Sequence, residues 1–234
     1  MKIKQKIVAL TGAGISAESG IKTFRDSNGL WEEHRVEDVA TPEGWQRNKQ
    51  LVLDFYNQRR RQLLDCKPNA AHFALADLQK DFDVVVITQN VDDLHERAGS
   101  KNIIHLHGEL LKVRSTVHQN LIYDWKKDLN LEDKCARGTQ LRPHIVWFGE
   151  AVPMIETAAA EIQNADIVLV IGTSMQVYPA ASLVHYAPRS STKFYIDPNA
   201  DEIHIAGVDP IAEKATTGMQ IVYKLLMEGL SLDN

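Results

Sequence analysis

Short apolar runs rich in β-branched residues recur along the 234-residue chain and constrain its fold more than any other feature. The runs are nearly continuous rather than alternating, which is typical of strands that are covered on both faces of a parallel sheet. Stretches with helical periodicity lie between them, at 51–64, 68–80, 153–164 and 209–228. This order predicts an α/β fold with a Rossmann-like, doubly wound parallel sheet. The predicted strands are 3–10, 83–88, 103–105, 144–148, 167–171 and 194–197.

Two stretches interrupt the alternation of strands and helices. About 70 residues separate the first predicted strand from the second, whereas a βαβ unit needs roughly 30. The second interruption is the polar stretch 112–141. We expect the two insertions, about 31–81 and 112–141, to form a smaller subdomain within a single catalytic domain, beside a Rossmann part of about 1–30, 82–111 and 142–234.

Composition limits the classes of partner. The net charge is −5, so nothing predicts a sequence-independent affinity for nucleic acid or anionic lipid. The chain has no run of 18 apolar residues and no signal-peptide pattern at its start, and we expect a cytoplasmic protein with no membrane partner. The cysteines, Cys66 and Cys135, are too few for a disulfide framework and are expected to be reduced thiols.

The first predicted strand runs into GAGISA, residues 12–17, which has the GxGxxA form of the dinucleotide-binding fingerprint. In this motif Gly12 permits a tight turn, Gly14 lets the backbone approach a pyrophosphate, and the small Ala17 allows a helix to pack closely on the strand. Ser16 can cap the turn that follows. A glycine turn with no ligand is the alternative interpretation.

The segment after the glycine loop does not fit a dehydrogenase. A nicotinamide dehydrogenase offers an acidic residue at the end of a second strand about 20 residues on. This chain has instead the polar and aromatic stretch TFRDSNGLW, residues 23–31, without a strand pattern. The combination suggests that a dinucleotide is consumed rather than used to carry hydride.

Five stretches, taken together, resemble the sirtuins, the family of NAD-dependent protein lysine deacylases. They are GAGISAESGIKTFRD (12–26), TQNVD (88–92), LHGE (106–109), RPHIVWFGE (142–150) and GTS (172–174). The resemblance covers nearly the whole chain, in the order and at the spacing of the family. It implies that NAD and an acyl-lysine enter a cleft between the Rossmann part and the small subdomain from opposite sides. The implied products are nicotinamide, O-acyl-ADP-ribose and free lysine.

In sirtuin chemistry the acyl oxygen attacks C1′ of the nicotinamide ribose, and a histidine base then activates a ribose hydroxyl. His107 matches this base, and a histidine pKa near neutrality suits the role. Asn90 is assigned with it to the catalytic site. His105, two residues earlier, is expected to be structural. Without the resemblance, a lone histidine in a strand is read as a core residue.

The resemblance also assigns the residues that contact NAD and substrate. Asn90 and Asp92 equally suit a helix cap after a strand, and both roles can hold together. Asn199 lies in a departure from the family pattern, Asp-Pro-Asn. The residues assigned to NAD are Gly12, Ala13, Gly14, Ser16, Arg25, Gln89, Asn90, Asp92, Gly172, Thr173, Ser174 and Asn199. Those assigned to the acyl-lysine tunnel and substrate strand are Val146, Phe148 and Gly149.

The predicted helix 51–64, LVLDFYNQRRRQLL, indicates which acyl group is bound. Positions 52, 55, 56, 59 and 63 share one face at helical spacing, and Arg59 is the charged member of that apolar face. Tyr56 and Arg59 resemble the Tyr-x-x-Arg pair by which one sirtuin class recognises acidic acyl groups such as succinyl and malonyl. The alternative is that Arg59 extends to solvent within the run Arg59-Arg60-Arg61.

Sirtuins commonly bind structural zinc through two Cys-x-x-Cys pairs, and this chain lacks them. RSTVH (114–118) occupies the place of the first pair, and Cys135 is the one cysteine at the place of the second. Four nitrogen or sulfur ligands are the rule for structural zinc, while His118 and Cys135 supply two, so we expect none bound. Residual metal binding with Asp133 remains open. Burial is expected to stabilise the segment instead, through Leu121, Ile122, Tyr123, Trp125, Leu129 and Leu131.

Two other functions share parts of this pattern. A module that senses NAD or ADP-ribose without turnover would not need His107 and Asn90. A protein mono-ADP-ribosyltransferase would share the first chemical step with a deacylase. An NAD-consuming lysine deacylase that acts on acylated proteins or peptides explains more of the motifs.

Overall fold

The computed structural model describes residues 4–22, 30–31, 34–202 and 207–232. Its central sheet has six parallel strands, which confirms the predicted α/β class. In spatial order the strands are β11 (Asp209–Ile211), β10 (Thr192–Ile196), β9 (Ile167–Ile171), β1 (Lys6–Thr11), β4 (Asp83–Thr88) and β5 (Ile103–His105).

Helices cover both faces of this sheet. Helices α5 (Ala70–Leu78) and α8 (Ala215–Leu232) pack on one face, and α7 (Ile155–Gln163) and the 3-10 helix Ala180–Tyr186 pack on the other. Residues 7–10 of β1 therefore alternate between the two cores, and all four are fully buried. This double burial explains why the central strands read as continuous apolar runs.

The small subdomain combines helices and a separate sheet around one apolar core. Its helices are α2 (Val36–Val39), α3 (Pro42–Arg47) and α4 (Lys49–Asp65), and its antiparallel sheet has the order β7 (Ile122–Asp124), β6 (Gly108–Ser115), β8 (Leu141–Ile145). The remaining elements are α1 (Ala13–Ala17), β2 (Leu30–Trp31), β3 (His34–Arg35), α6 (Leu94–Ala98) and the 3-10 helix Ala200–Glu202.

The structure corrects two sequence-based elements. The predicted strand 144–148 does not join the parallel sheet, because β8 ends at Ile145 and pairs antiparallel with β6. The predicted helix 209–228 begins only at Ala215, because 209–211 form the edge strand β11. A proline at position 210 is tolerated in β11 because an edge strand has one unpaired side.

The boundaries between the two parts also differ from the predicted ones. Helix α5, which lies within the first predicted insertion, packs on the large sheet. The predicted boundaries divide β6 between the two parts and place nearly all of β8 in the Rossmann part, whereas both strands form the sheet of the small subdomain. Insertion length alone does not reveal which core an inserted helix joins.

Apolar and amide contacts hold the inserted segment 112–141, in which we expect no zinc. Leu129 is fully buried, and its backbone N–H and carbonyl both hydrogen bond the Asn57 side chain of α4, at 2.8 and 3.0 Å. Cys135 is buried, and its Sγ lies 3.0 Å from Thr139 Oγ1. Leu121, Tyr123 and Trp125 pack partly buried against the same core.

Two members of the predicted apolar cluster lie elsewhere. Ile122 and Leu131 are 42% and 40% exposed, so the prediction that they contribute to the core was wrong. Side chains alternate between the two faces of β7, so Ile122 faces outward while its neighbour Tyr123 packs against the core. The other cysteine, Cys66, is also buried and free.

Chelation is expected to leave the fold and the activity intact. A structural zinc site contributes roughly 10–16 kcal/mol to folding in small zinc-binding peptides, so its loss would be evident. We expect elemental analysis to find well under one zinc per chain. Prolonged EDTA treatment is expected to change neither the thermal midpoint nor the turnover rate. Stoichiometric zinc that leaves together with activity would contradict this expectation.

No helix among the described residues combines the length and the apolar content that crossing a membrane requires.

Candidate active site

A cavity of about 630 Å³ opens between the carboxyl ends of the large sheet and the small subdomain. Its volume suits a small-molecule site. Strand order reverses between β1 and β9, since the chain continues from β1 to β4 and β5 on one side and from β9 to β10 and β11 on the other. Ligands of open α/β sheets bind at such a switch point, and the cavity lies beside it.

The two glycine loops at this switch point touch each other. The backbone N–H of Gly14, after β1, donates to the carbonyl of Gly172, after β9, at 2.7 Å. Gly172 has a positive φ of 60°, and a Cβ there would lie 2.4 Å from the backbone nitrogen of Ile15. Glycine is therefore required by the contact between the loops, in addition to any approach of a ligand.

A buried polar network joins the glycine loop to the segment after β4. Asn90 Nδ2 donates to the Gly12 carbonyl at 3.0 Å and to Ser16 Oγ at 3.1 Å, and Ser16 Oγ donates to Asp92 at 2.9 Å. Asp92 also accepts from the Leu94 N–H at 3.1 Å, at the start of α6. Asp92 therefore binds the helix start as well as facing the cavity. Burial raises the pKa of Asp92 to about 6.

Gln89 links this network to the loop after β9. Its side-chain Nε2 donates to Thr173 Oγ1 at 3.1 Å, and the Thr173 carbonyl accepts from the Tyr195 hydroxyl at 2.9 Å. Polar contacts thus join the carboxyl ends of strands β4, β9 and β10.

His107 lines the same cavity with its tautomer restricted by the backbone. Nδ1 lies 3.0 Å from the Gln89 carbonyl, which can only accept, so Nδ1 carries the proton. Nε2 is then left with a lone pair. Burial lowers the pKa of His107 below its ordinary value, so the neutral imidazole is favoured at neutral pH. These properties suit a general base.

His105 belongs to a different group of side chains. Its Nε2 lies 2.7 Å from Glu96 Oε1, and its Nδ1 lies 3.3 Å from the Asn90 carbonyl. Burial alone would lower the pKa of His105, but the contact with Glu96 outweighs it and the pKa is raised. Glu96, His105 and Glu109 lie close enough together to act as metal ligands, and Glu109 also pairs with Lys112 at 2.9 Å. Ion pairs account for the cluster, in accord with a structural His105.

The structure brings most of the residues assigned to NAD to this cavity. Arg25 lies outside the described residues, and Asn199 is exposed and is not among the cavity-lining residues, while Asp197 and Pro198 are. Asn199 instead donates its backbone N–H to Asp197 at 3.0 Å. The assigned residues that line the cavity are Gly12, Ala13, Gly14, Ser16, Gln89, Asn90, Asp92, Gly172, Thr173 and Ser174.

The residues assigned to the substrate also line the cavity. They are Tyr56, Arg59, Val146, Phe148 and Gly149. Helix α4 presents Tyr56 and Arg59 from the small subdomain, and the segment after β8 presents the other three. Arg59 is only 8% exposed, and its guanidinium carbon lies 5.2 Å from the centre of the Phe55 ring.

The three consecutive arginines of α4 have three different environments. Arg60 is fully buried and donates to the Leu110 carbonyl at 3.2 Å and to Asn57 Oδ1 at 2.7 Å. Arg61 is exposed and pairs with Asp128 at 2.5 Å. The run is therefore not a solvated face, and the alternative interpretation of Arg59 loses its basis.

Sequence reasoning missed several cavity-lining residues, among them those on two segments at the large sheet. Residues 177–179, Val-Tyr-Pro, follow the GTS stretch, and Tyr178 is 73% exposed. Lys214 and Ala215 lie at the start of α8. The sequence signal for the first segment was Tyr178 beside Pro179, shortly after the end of β9.

Comparisons with known proteins agree with this geometry. Residues 12–179 match the model of the Sir2 family. The chain is 57% identical over 225 residues to a Helicobacter pylori NAD-dependent protein deacylase, covering 96% of this chain and 98% of that protein. A Bacteroides thetaiotaomicron protein of the same description is 53% identical over 230 residues, with 95% and 98% coverage. A solved Sir2 homologue–NAD complex superposes with a TM-score of 0.85 at 39% identity, covering 97% of this chain and 91% of that chain.

Proposed function

The chain belongs to the Sir2 family, and on that premise we propose that it is an NAD-dependent protein deacylase that prefers lysine acyl groups ending in a carboxylate. NAD is the co-substrate and is consumed. Acylated proteins or peptides are the other substrate. The observation that carries the proposal is the single cavity that contains the glycine loops, the His107 imidazole and the Tyr56–Arg59 pair.

The residues at the switch point suit NAD in several ways. The cavity is large enough for a dinucleotide fragment and lies beyond the carboxyl ends of parallel strands. Short amide, hydroxyl and carboxylate side chains, those of Gln89, Asn90, Ser16 and Asp92, suit ribose hydroxyls and a carboxamide. NAD supplies the ADP-ribosyl group that accepts the acyl group.

His107 is proposed to take the proton from a ribose hydroxyl. Its Nδ1 is held by the Gln89 carbonyl, so Nε2 is the nitrogen that accepts. Because burial favours the neutral imidazole, the base is ready at neutral pH. Gln89 therefore orients the imidazole through its main chain and contacts Thr173 through its side chain.

Arg59 and Tyr56 carry the proposed acyl preference. A buried guanidinium on the cavity wall suits a carboxylate, because it can donate two parallel hydrogen bonds. An acetyl group offers no charge to this guanidinium. Val146 and Phe148 provide apolar surface for the aliphatic part of the acyl-lysine.

The test is an NAD-dependent assay on peptides that differ only in acetyl, malonyl or succinyl modification of one lysine. We expect nicotinamide release and free lysine with each peptide that turns over, and a higher kcat/KM for the two acidic groups. Mass spectrometry distinguishes the competing activity, since ADP-ribosyl transfer would leave ADP-ribose on the protein. NAD binding without nicotinamide release would indicate a sensing module and overturn the proposal.

A further inference from the structure

Trp147 lies behind the acyl-lysine end of the cavity rather than in it. Val146 and Phe148 line the cavity, whereas Trp147 between them is 2% exposed and belongs to the core of the small subdomain. Its indole Nε1 lies 3.0 Å from the hydroxyl oxygen of Tyr56. Trp147 therefore contacts, from outside the cavity, a side chain that lines it.

The direction of this hydrogen bond restricts the Tyr56 hydroxyl. An indole nitrogen can only donate, so the Tyr56 oxygen is the acceptor and the Tyr56 proton points away from Trp147. Burial also raises the pKa of Tyr56, so the hydroxyl keeps its proton at every pH at which the enzyme works. A carboxylate only accepts hydrogen bonds and is the natural partner for such a proton.

Trp147 is itself held on several sides. The guanidinium carbon of Arg142 lies 3.3 Å from the centre of its ring, and the Trp45 ring packs against it at 5.8 Å. Glu150 accepts from the Trp147 backbone N–H at 2.8 Å and from both terminal nitrogens of Arg142, at 2.7 and 3.0 Å. This arrangement fixes the indole plane and so the direction of its N–H.

We propose that Trp147 is a positioning residue for acidic acyl groups, because its N–H keeps the Tyr56 oxygen as an acceptor and so presents the Tyr56 proton to the acyl carboxylate. The inference rests on the proposed acyl preference. It adds a third residue to the Tyr56–Arg59 pair, one that does not touch substrate. It also gives the Arg142–Glu150 pair a role in specificity, through the indole that they hold.

The test is a double-mutant cycle on Trp147 and Tyr56. Trp147→Phe removes the N–H and keeps an aromatic ring beneath Arg142, and Tyr56→Phe removes the hydroxyl. We expect Trp147→Phe to lower the succinyl-to-acetyl ratio of kcat/KM roughly three- to tenfold, the usual effect of one neutral hydrogen bond. The change is expected mainly in KM for the succinyl peptide. In the Tyr56→Phe background the second substitution is expected to leave the ratio unchanged.

Two further variants guard against an effect of packing. Trp125→Phe removes the N–H of another indole of the small subdomain, which donates to the Asp128 carbonyl at 3.2 Å, and is expected to keep the wild-type ratio. Benzothienylalanine incorporated at position 147 keeps the bicyclic shape with sulfur in place of the N–H, and is expected to reproduce the ratio of Trp147→Phe even if that variant folds poorly.

The possible results separate this inference from the proposed function. A wild-type enzyme that turns over succinyl and acetyl peptides equally overturns the proposed preference before any variant is compared. A wild-type preference that benzothienylalanine leaves intact overturns the role of Trp147 alone. An equal loss with both peptides would mean that Trp147 only packs, and an undiminished effect in the Tyr56→Phe background would exclude action through Tyr56.

Discussion

His107→Ala is expected to lower deacylation about 10²- to 10⁴-fold, the usual effect of removing a general base. NAD is expected to bind this variant, because the imidazole takes its proton only after the co-substrate is in place. Peptide deacylation kinetics measure the first effect, and calorimetric titration with NAD measures the second. The mutation removes a half-buried ring that hydrogen bonds only one described backbone carbonyl, so the fold is expected to remain.

The matched control for His107 is His185→Ala. His185 is exposed on the 3-10 helix Ala180–Tyr186 and is not among the cavity-lining residues. This control is expected to retain the wild-type rate. Wild-type turnover by His107→Ala would remove His107 from the base role, and a loss of NAD binding would assign it to the cofactor site instead.

Arg59→Met is expected to reduce the succinyl-to-acetyl ratio of kcat/KM far more than any other single change on α4. Truncating one member of a desolvated charge pair costs about 2–5 kcal/mol. At about 1.4 kcal/mol per factor of ten, this is roughly 30-fold to a few thousand-fold. Methionine has an unbranched side chain about as long as the aliphatic part of arginine, so the guanidinium is the principal loss.

Arg61→Met is the control for Arg59. It removes the same charge two residues later on α4, from an exposed side chain that pairs with Asp128. We expect this variant to keep the wild-type ratio, since Arg61 is not among the cavity-lining residues. If Arg59→Met slowed both peptides equally, Arg59 would be a packing residue and the proposed preference for acidic groups would fail.

The central sheet was predictable because its signal is local. The predicted strands 83–88, 103–105 and 167–171 match β4, β5 and β9 residue for residue. Burial on both faces imposes apolar residues along β9 and along the middle of β4, and this pattern can be read without knowing the partners. The prediction that strand 144–148 joins the parallel sheet was wrong, because an apolar pattern does not show which sheet a strand joins.

Several site assignments had the same kind of local support. The glycine loop and the stripe on α4 are set by residue type and spacing. The loop and three stripe residues, Tyr56, Arg59 and Leu63, line the cavity. His107 needed the family resemblance, because one histidine at a strand end carries no signal of its own. Arg25 stays a prediction outside the described residues, and Asn199 stays one without a place on the cavity wall. The cytoplasmic location and the absence of zinc also remain predictions.

By itself the sequence determined the alternation of strands and helices, the dinucleotide-type loop, the family and the charged position on the apolar face of α4. Only the tertiary structure decided that Arg59 and Arg60 are buried while Arg61 is not, that Gln89 sets the tautomer of His107, and that Trp147 reaches Tyr56. The physical reason is range. Secondary structure and turn chemistry depend on neighbours a few residues apart, whereas the Trp147–Tyr56 bond joins residues 91 positions apart and forms only when the core of the small subdomain packs.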